Sequence, residues 1–183
     1  MKKIAAVVLL ATVVAAPAFA ADEGFYAGVT LGSGKPNVTP VAGAVLSKTS
    51  NFVYGGLLGY QYNKNLATEI GYGGVGKATD IAGNTVKGDA LSLTAVGMLP
   101  LSDSFELLGK LGVSSAKTTS SGLATNLGAS RTGLTYGIGA QYNVSDNFGL
   151  RLGYDRYPVA TTNAGVKTNA NANVMNVGAV FKF

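Results

Sequence analysis

Three features of the sequence predict an all-β fold, an eight-stranded antiparallel up-and-down transmembrane β-barrel. Apolar and polar residues alternate along most of the chain, the alternating segments are about ten residues long, and short connections alternate with long ones. Alternation with period two indicates strands that have one face in an apolar medium. Tilted strands of about 9–11 residues are long enough to cross a bilayer.

The alternation is clearest near the C-terminus. Residues 148–155 place Phe, Leu, Leu and Tyr on one face and Gly, Arg, Gly and Asp on the other, and residues 175–183 place Met, Val, Ala, Phe and Phe on one face. The segments run near 24–34, 52–62, 66–77, 88–99, 105–117, 132–142, 148–157 and 174–183. An even number of strands is typical of bacterial outer-membrane barrels.

The connections differ in length in a regular order. Three are short and built from turn residues, at 63–65, 100–104 and 143–147. Four are long and rich in Thr, Ser, Asn, Ala and Gly, at 35–51, 78–87, 118–131 and 158–173. Outer-membrane barrels have short periplasmic turns and longer extracellular loops. We therefore expect four long extracellular loops at one end of the barrel.

Aromatic residues cluster at the ends of the segments, which predicts two outward-facing belts at the membrane surfaces. The belt near the termini and short turns comprises Phe25, Tyr60, Tyr62, Phe105, Tyr142, Phe148 and Phe183. The belt toward the long connections comprises Phe52, Tyr54, Tyr72 and Tyr154.

The N-terminus has the pattern of a secretory signal peptide. Lys2 and Lys3 precede an apolar run from 4 to 16, and Pro17 leads into the small-x-small site 18–20. The apolar run is too short for a membrane helix, which needs about 20 residues. We expect residues 1–20 to be cleaved and residues 21–183 to form the barrel; the alternative is an uncleaved anchor.

The composition excludes several classes of function. The chain has no cysteine, no histidine and no tryptophan, so disulfides and the usual ligands of zinc, haem and iron–sulfur clusters are missing. A histidine base and a cysteine nucleophile are missing as well. Without Lys2 and Lys3 the net charge falls from +5 to 12 − 9 = +3, which requires no nucleic acid partner. We predict no enzymatic activity, no cofactor and no metal.

The inward faces carry a balanced set of charges: Glu69, Glu106, Lys110, Arg151, Asp155 and Lys182. Charges away from bulk water are costly unless they pair. Counting from the periplasmic end places Glu106 near Lys182 and places Glu69 near Arg151 and Lys110, with Asp155 higher. We hypothesise that Glu69, Arg151 and Lys110 form a polar plug; the alternative is that these side chains only solvate a polar interior.

Two cations at the upper rim face outward in the predicted registers. Lys117 and Arg156 lie where lipopolysaccharide phosphates would meet the barrel, because charged groups are tolerated near the interface. The alternative is ordinary snorkelling of long cationic side chains.

Short motifs resemble the transmembrane domain of OmpA-type proteins and the related opacity-protein and OmpX-like small barrels. They are residues 151–157, residues 25–28, the C-terminal Phe181-Lys182-Phe183, and the stretch from Leu91 to Asp103. The resemblance implies a Gram-negative outer-membrane location and insertion by the barrel-assembly machinery, which reads terminal aromatics such as Phe183 and Phe181.

The resemblance also bears on the lumen and on function. Glu69 and Arg151 match the acid–base cluster of OmpA-type barrels, whereas Val96 stands where a lysine is expected and Lys110 is placed to compensate. We predict a monomeric structural and surface-interaction protein with a largely plugged polar lumen, in contact with outer-membrane lipids and lipopolysaccharide. The alternatives are a narrow porin-like channel and a surface adhesin.

Overall fold

Strands account for almost all of the chain that the structure describes. The computed structural model describes residues 23–36, 46–50, 52–80, 85–121, 129–163 and 166–183, so the predicted signal peptide lies outside the described residues. The strands are β1 (Gly24–Pro36), β2 (Leu46–Ser50), β3 (Phe52–Asn63), β4 (Leu66–Asp80), β5 (Thr85–Pro100), β6 (Phe105–Ser121), β7 (Ala129–Asn143), β8 (Phe148–Asn163) and β9 (Val166–Lys182). Within these ranges, no helix is long and apolar enough to cross a membrane.

The sheet closes on itself. From β3 onward, each strand pairs antiparallel with the next one, β1 pairs with β3, and β9 returns to pair with β1 from Tyr26↔Lys182 to Pro36↔Ala172. The short β2 continues the line of β3 along β4, with Ser50 opposite Lys77. The barrel wall therefore has eight strands, which confirms the predicted fold class.

The two faces of the strands separate apolar from polar side chains. Large apolar residues point outward on every strand of the wall, and Tyr54 and Ile138 are 74% and 69% exposed. The predicted belt residues Phe25, Phe52 and Tyr72 are among the outward-facing aromatics. An exposed surface of this kind is stable only in an apolar medium, so the outer wall is a lipid-facing surface.

The strands are longer than the sequence predicts: the predicted boundaries of the four long loops are wrong, whereas the three short connections lie where they are predicted. The predicted loop 158–173 is mostly strand, with residues 164–165 between β8 and β9, and in the predicted loop 78–87 residues 81–84 separate β4 from β5. The strands also enter the predicted loops 35–51 and 118–131. Apolar alternation marks only the part of a strand in contact with hydrocarbon, whereas backbone pairing continues above the membrane.

The seam between β7 and β8 opens toward the extracellular end. Its ladder runs from Asn143↔Gly149 to Tyr136↔Arg156 and ends there, although β7 continues to Ala129. Pro158 has no N–H to donate to the ladder. Above this point the β8–β9 hairpin leans into the barrel.

Side chains hold the leaning hairpin in place of the ladder. The Arg131 guanidinium donates to the carbonyls of Ala170 at 2.7 Å and Val159 at 3.3 Å. From β6, the strand next to β7, the Thr118 hydroxyl donates to the Ala160 carbonyl at 3.1 Å, and Ala160 is buried. The upper end of the barrel is therefore narrower than a regular eight-stranded wall would make it.

Two apolar clusters lie inside the barrel. The lower apolar cluster, toward the periplasmic end, consists of Tyr26, Leu57, Ala67, Val96, Met98, Leu108 and Val180. The upper apolar cluster consists of Val53, Val75, Ala90, Ala116, Val159, Ala172 and Val174. The leaning hairpin contributes Val159 and Ala172 to the upper cluster.

Tight curvature makes glycine necessary at specific wall positions. A Cβ on the inward-facing Gly112 would collide with the backbone of Leu93 and Thr94, which cannot move without disturbing the β5–β6 ladder. On the outward face of the same strand, nothing lies within 4 Å of the place a Cβ on Gly109 would take. Gly112 and Gly109 are a matched pair on one strand.

We expect Gly112→Ala to lower the free energy of unfolding by about 1–3 kcal/mol, the usual cost of overpacking. Gly109→Ala serves as the control and should change stability by no more than about 0.5 kcal/mol. Denaturant unfolding of the refolded barrel in lipid vesicles, followed by the heat-dependent gel shift, measures both. Equal stability of the two variants would contradict the close approach at Gly112.

Candidate functional site: the barrel lumen

Glu69 on β4 is the centre of the charged residues in the lumen. It is 3% exposed, and its Oε2 lies 3.0 Å from Lys110 Nζ on β6. Its Oε1 accepts from a guanidinium N–H of Arg151 on β8 and from the Tyr26 hydroxyl on β1 at 2.8 Å. One carboxylate thus connects four strands across the lumen, because β1, β6 and β8 each contribute one donor to Glu69 on β4.

Gly59 leaves the space that the Tyr26 ring occupies. The register aligns Tyr26 with Gly59 and Gly59 with Glu69, so the three residues form a row across β1, β3 and β4. The Tyr26 ring covers Gly59, where a Cβ would collide with it. The ring lies flat against the wall, its hydroxyl reaches Glu69, and the Arg151 guanidinium carbon sits 5.7 Å from its centroid. A cation over an aromatic face is an additional attraction.

The network continues from Arg151 toward the periplasmic end. Arg151 Nε donates to Gln141 Oε1 at 2.9 Å, and Gln141 Nε2 donates to Glu106 Oε1 at 2.7 Å. Asn143 also donates to Glu106, at 3.3 Å. Gln141, Glu106 and Arg151 are all buried. Hydrogen bonds of this kind satisfy the remaining polar atoms of buried charges, which unpaired would cost several kcal/mol each.

Asp155 belongs to a separate polar contact higher on β8. Its Oδ2 accepts from Asn176 Nδ2 at 2.8 Å, and its carboxylate lies over Gly137. A cavity of about 70 Å³ lies between the two polar groups, lined in part by Glu69, Lys110, Arg151 and Asp155. That volume has room for several water molecules, because one water needs about 10–15 Å³.

Sequence reasoning placed the central trio at one height, and the structure brings Glu69, Lys110 and Arg151 into contact. Val96 faces inward directly opposite Lys110, as its alternation indicates. The expected neighbourhood of Glu106 and Lys182 gives no ion pair in the described ranges. Glu106 is instead held by Gln141 and Asn143, because β7 lies next to β6 whereas β9 lies two strands farther round.

Sequence reasoning missed Tyr26 and Gln141. Both face inward by the same alternation that identified the charges, so their position was available from the sequence. Their hydrogen bonds across the lumen could not be predicted in the same way, because a tyrosine at a strand end is more often a belt residue. The two apolar clusters are not predicted for a related reason: the alternation is interpreted as an inward face that is polar.

The remaining predicted site residues lie at the ends of the barrel. Lys117 is exposed on β6, and Arg156 donates to the Tyr136 hydroxyl at 3.2 Å. The Phe181 and Phe183 rings pack edge to face with centroids 5.4 Å apart, and the Phe183 N–H donates to the Phe25 carbonyl at 2.9 Å. The C-terminal aromatics are thus fixed beside the start of β1.

A closed eight-stranded barrel with an apolar outer wall, aromatic belts and a polar interior network defines the class of small transmembrane β-barrels. The chain belongs to the outer membrane protein beta-barrel domain family, which matches residues 6–183. The protein is therefore located in the outer membrane of a Gram-negative bacterium. A search of curated proteins gave no significant match.

Solved structures with a similar fold are small outer-membrane barrels. Neisserial surface protein A (NspA) has 17% identity and a TM-score of 0.66, with 87% of this chain and 97% of that chain covered. The N-terminal barrel of Pseudomonas aeruginosa OprF has 15% identity, a TM-score of 0.58 and coverage of 88% and 99%. Ail, the attachment invasion locus protein of Yersinia pestis, has 18% identity, a TM-score of 0.56 and coverage of 88% and 97%. At these identities the likeness concerns the fold.

We expect Arg151→Met to lower the free energy of unfolding by about 3 kcal/mol, because it removes a buried ion pair and leaves Gln141 without its donor. The double variant Glu69→Gln/Arg151→Met should lose less than the sum of its single changes, since the partners interact directly. Denaturant unfolding in vesicles measures the cycle. Lys182→Gln, at the periplasmic end, is the charge-matched control, and a loss from Arg151→Met no greater than the control's would contradict the assigned role.

Proposed function

We propose that this protein is a structural and surface-interaction protein of the outer membrane whose lumen is plugged and does not conduct ions. Its role lies in the membrane-embedded wall and in the strands that continue above the upper aromatic belt. The wall supports the membrane, and the upper strands present a surface to the exterior.

One observation carries this proposal: side chains occupy successive levels of the lumen. The lower apolar cluster shares Tyr26 with the network of Glu69, Lys110 and Arg151, and its Val96 lies opposite Lys110. The upper apolar cluster lies above both, toward the extracellular end. An apolar layer is a barrier to hydrated ions. The paired charges beside the lower cluster hold one another in place, which favours a fixed plug over a mobile one.

The cavity favours a second candidate function, a narrow channel. Its volume of about 70 Å³ beside Lys110, Glu69 and Arg151 provides a charged station midway along the lumen. A transient opening of the apolar layers would connect this station to both sides. Conductance separates this candidate from the first.

We expect the refolded mature protein to give no discrete conductance steps in a planar bilayer, with folding verified by the heat-dependent gel shift. Arg151→Gln should leave the bilayer silent as well, because the apolar clusters remain. Conductance steps in the wild type would overturn the plugged lumen in favour of a channel. If those steps change in Arg151→Gln, the Glu69 network would be the gate.

We further propose a monomer that is exported by cleavage after Ala20 and inserted by the barrel-assembly machinery through Phe181 and Phe183. Support comes from the exposed C-terminal aromatic Phe181 and from the signal pattern of the N-terminus. The intact mass of the protein extracted from outer membranes should equal that of residues 21–183. A mass that includes residues 1–20 would establish the uncleaved anchor instead.

We also propose that the protein is not an enzyme. In the described ranges, the buried charged residues are engaged with one another or with amides, and no group of three or more acidic residues is placed to hold a metal ion. A general base or a nucleophile would have to be released from these contacts before it could act.

A further inference from the structure

Two lysines face each other directly on the outside of the barrel. Lys77 near the top of β4 pairs in register with Lys87 near the start of β5, and both side chains are exposed. A β-bulge between Gly74 and Gly76 brings Lys77 to the outer face at this level. Like charges directly opposite each other on one face of a sheet are destabilising. The arrangement is unfavourable unless an anion lies between them.

A third lysine extends the same patch to the next strand. Lys117 on β6 is exposed, lies opposite Asp89 and is two register positions below the row of Lys87. Asp89 offsets one positive charge, so three lysines and one aspartate leave a net charge of +2. We name this set of Lys77, Lys87 and Lys117 the lysine triad.

The height of the lysine triad on the barrel wall indicates which part of the membrane surrounds it. On the same three strands, two outward positions below the lysines, Tyr72, Leu91 and Val113 are exposed on the outer face at 62%, 53% and 52%. These apolar side chains belong to the lipid-facing band. The triad is thus at the level where acyl chains give way to headgroups, on the extracellular side.

We propose that the lysine triad binds the phosphate groups of a phosphorylated glycolipid of the outer leaflet, the lipid A part of lipopolysaccharide. This inference rests on the proposed outer-membrane role and assigns it a lipid partner. Lysine ammonium groups bind phosphate as compact point charges. A phosphate between Lys77 and Lys87 turns their repulsion into a shared attraction, and Lys117 reaches a second phosphate or the same headgroup.

Arg156 is not part of this site. It lies on β8, away from β4, β5 and β6, and its guanidinium carbon sits 6.0 Å from the Tyr136 ring centroid. Its contacts with the Tyr136 ring and hydroxyl occupy the guanidinium in the absence of lipid. Of the two predicted rim contacts, Lys117 therefore belongs to the site and Arg156 does not. Lys77 and Lys87, which the sequence does not single out, complete the site.

The test measures binding of lipid A to the refolded mature barrel in detergent by native mass spectrometry. We expect diphosphoryl lipid A to bind more tightly than the monophosphoryl form, and the affinity to fall between about 50 mM and about 500 mM salt. Lys77→Gln/Lys87→Gln/Lys117→Gln should weaken binding of diphosphoryl lipid A by about a hundredfold, since each cation near an anionic lipid surface contributes about fivefold. Inorganic pyrophosphate serves as the soluble competitor.

Lys64→Gln, with the same charge change in the periplasmic turn, should bind as the wild type does. Equal affinity of the triple variant and the wild type, or no preference for the diphosphoryl form, would overturn the proposal. Pyrophosphate that binds as tightly as diphosphoryl lipid A would assign the site to a soluble phosphate compound instead. The heat-dependent gel shift keeps this test separate from the proposed function, since an unfolded barrel would count against the barrel role and not against the triad.

A second measurement needs no binding assay. Without lipid A, Lys87→Gln should raise the thermal unfolding temperature, because it removes the repulsion from Lys77. Diphosphoryl lipid A should raise that temperature more in the wild type than in Lys87→Gln. A lower unfolding temperature for the lipid-free variant would contradict the unfavourable Lys77–Lys87 pair.

Discussion

Every backbone N–H and C=O group inside the bilayer must find a partner within the protein, and the rest of this structure depends on that constraint. The constraint closes the sheet by returning β9 to β1. Eight strands then enclose an interior that side chains just fill. The small radius brings neighbouring backbones so close that a residue such as Gly112 has no room for a Cβ.

The narrow interior also determines how charge is accommodated. Lys110 and Arg151 reach the same carboxylate of Glu69 from different strands, because the lumen is only a side chain or two wide. Glycine at 59 lets the Tyr26 ring lie flat and complete the set of donors. Charges that would be costly in isolation pair with one another and connect strands across the lumen.

The membrane determines which residues lie on the outer surface, just as the small radius of the barrel determines which residues fit inside it. The apolar band ends at the aromatic belts, but backbone pairing continues above them, where lipid headgroups and then water replace hydrocarbon. Cations are tolerated at that height, and the Lys77–Lys87 pair is an arrangement whose stability depends on the anions around it. The open seam above Tyr136 lies at the same end, where side chains from Arg131 and Thr118 substitute for the ladder.

The sequence by itself determined the barrel class, the inward faces of Glu69, Lys110 and Arg151 and the meeting of these three residues, because period two fixes direction and counting from the turns fixes height. Only the tertiary structure decided that Glu106 contacts Gln141 rather than Lys182, that Tyr26 joins Glu69, and that the β8–β9 hairpin leans inward. Contacts across a lumen depend on how far each side chain reaches and on the curvature of the wall, and not only on the up-and-down strand order that the sequence predicts. The alternation along a single strand determines neither the reach of its side chains nor the curvature of the wall. It also does not determine how far a strand continues beyond the hydrocarbon, because no apolar face is needed there.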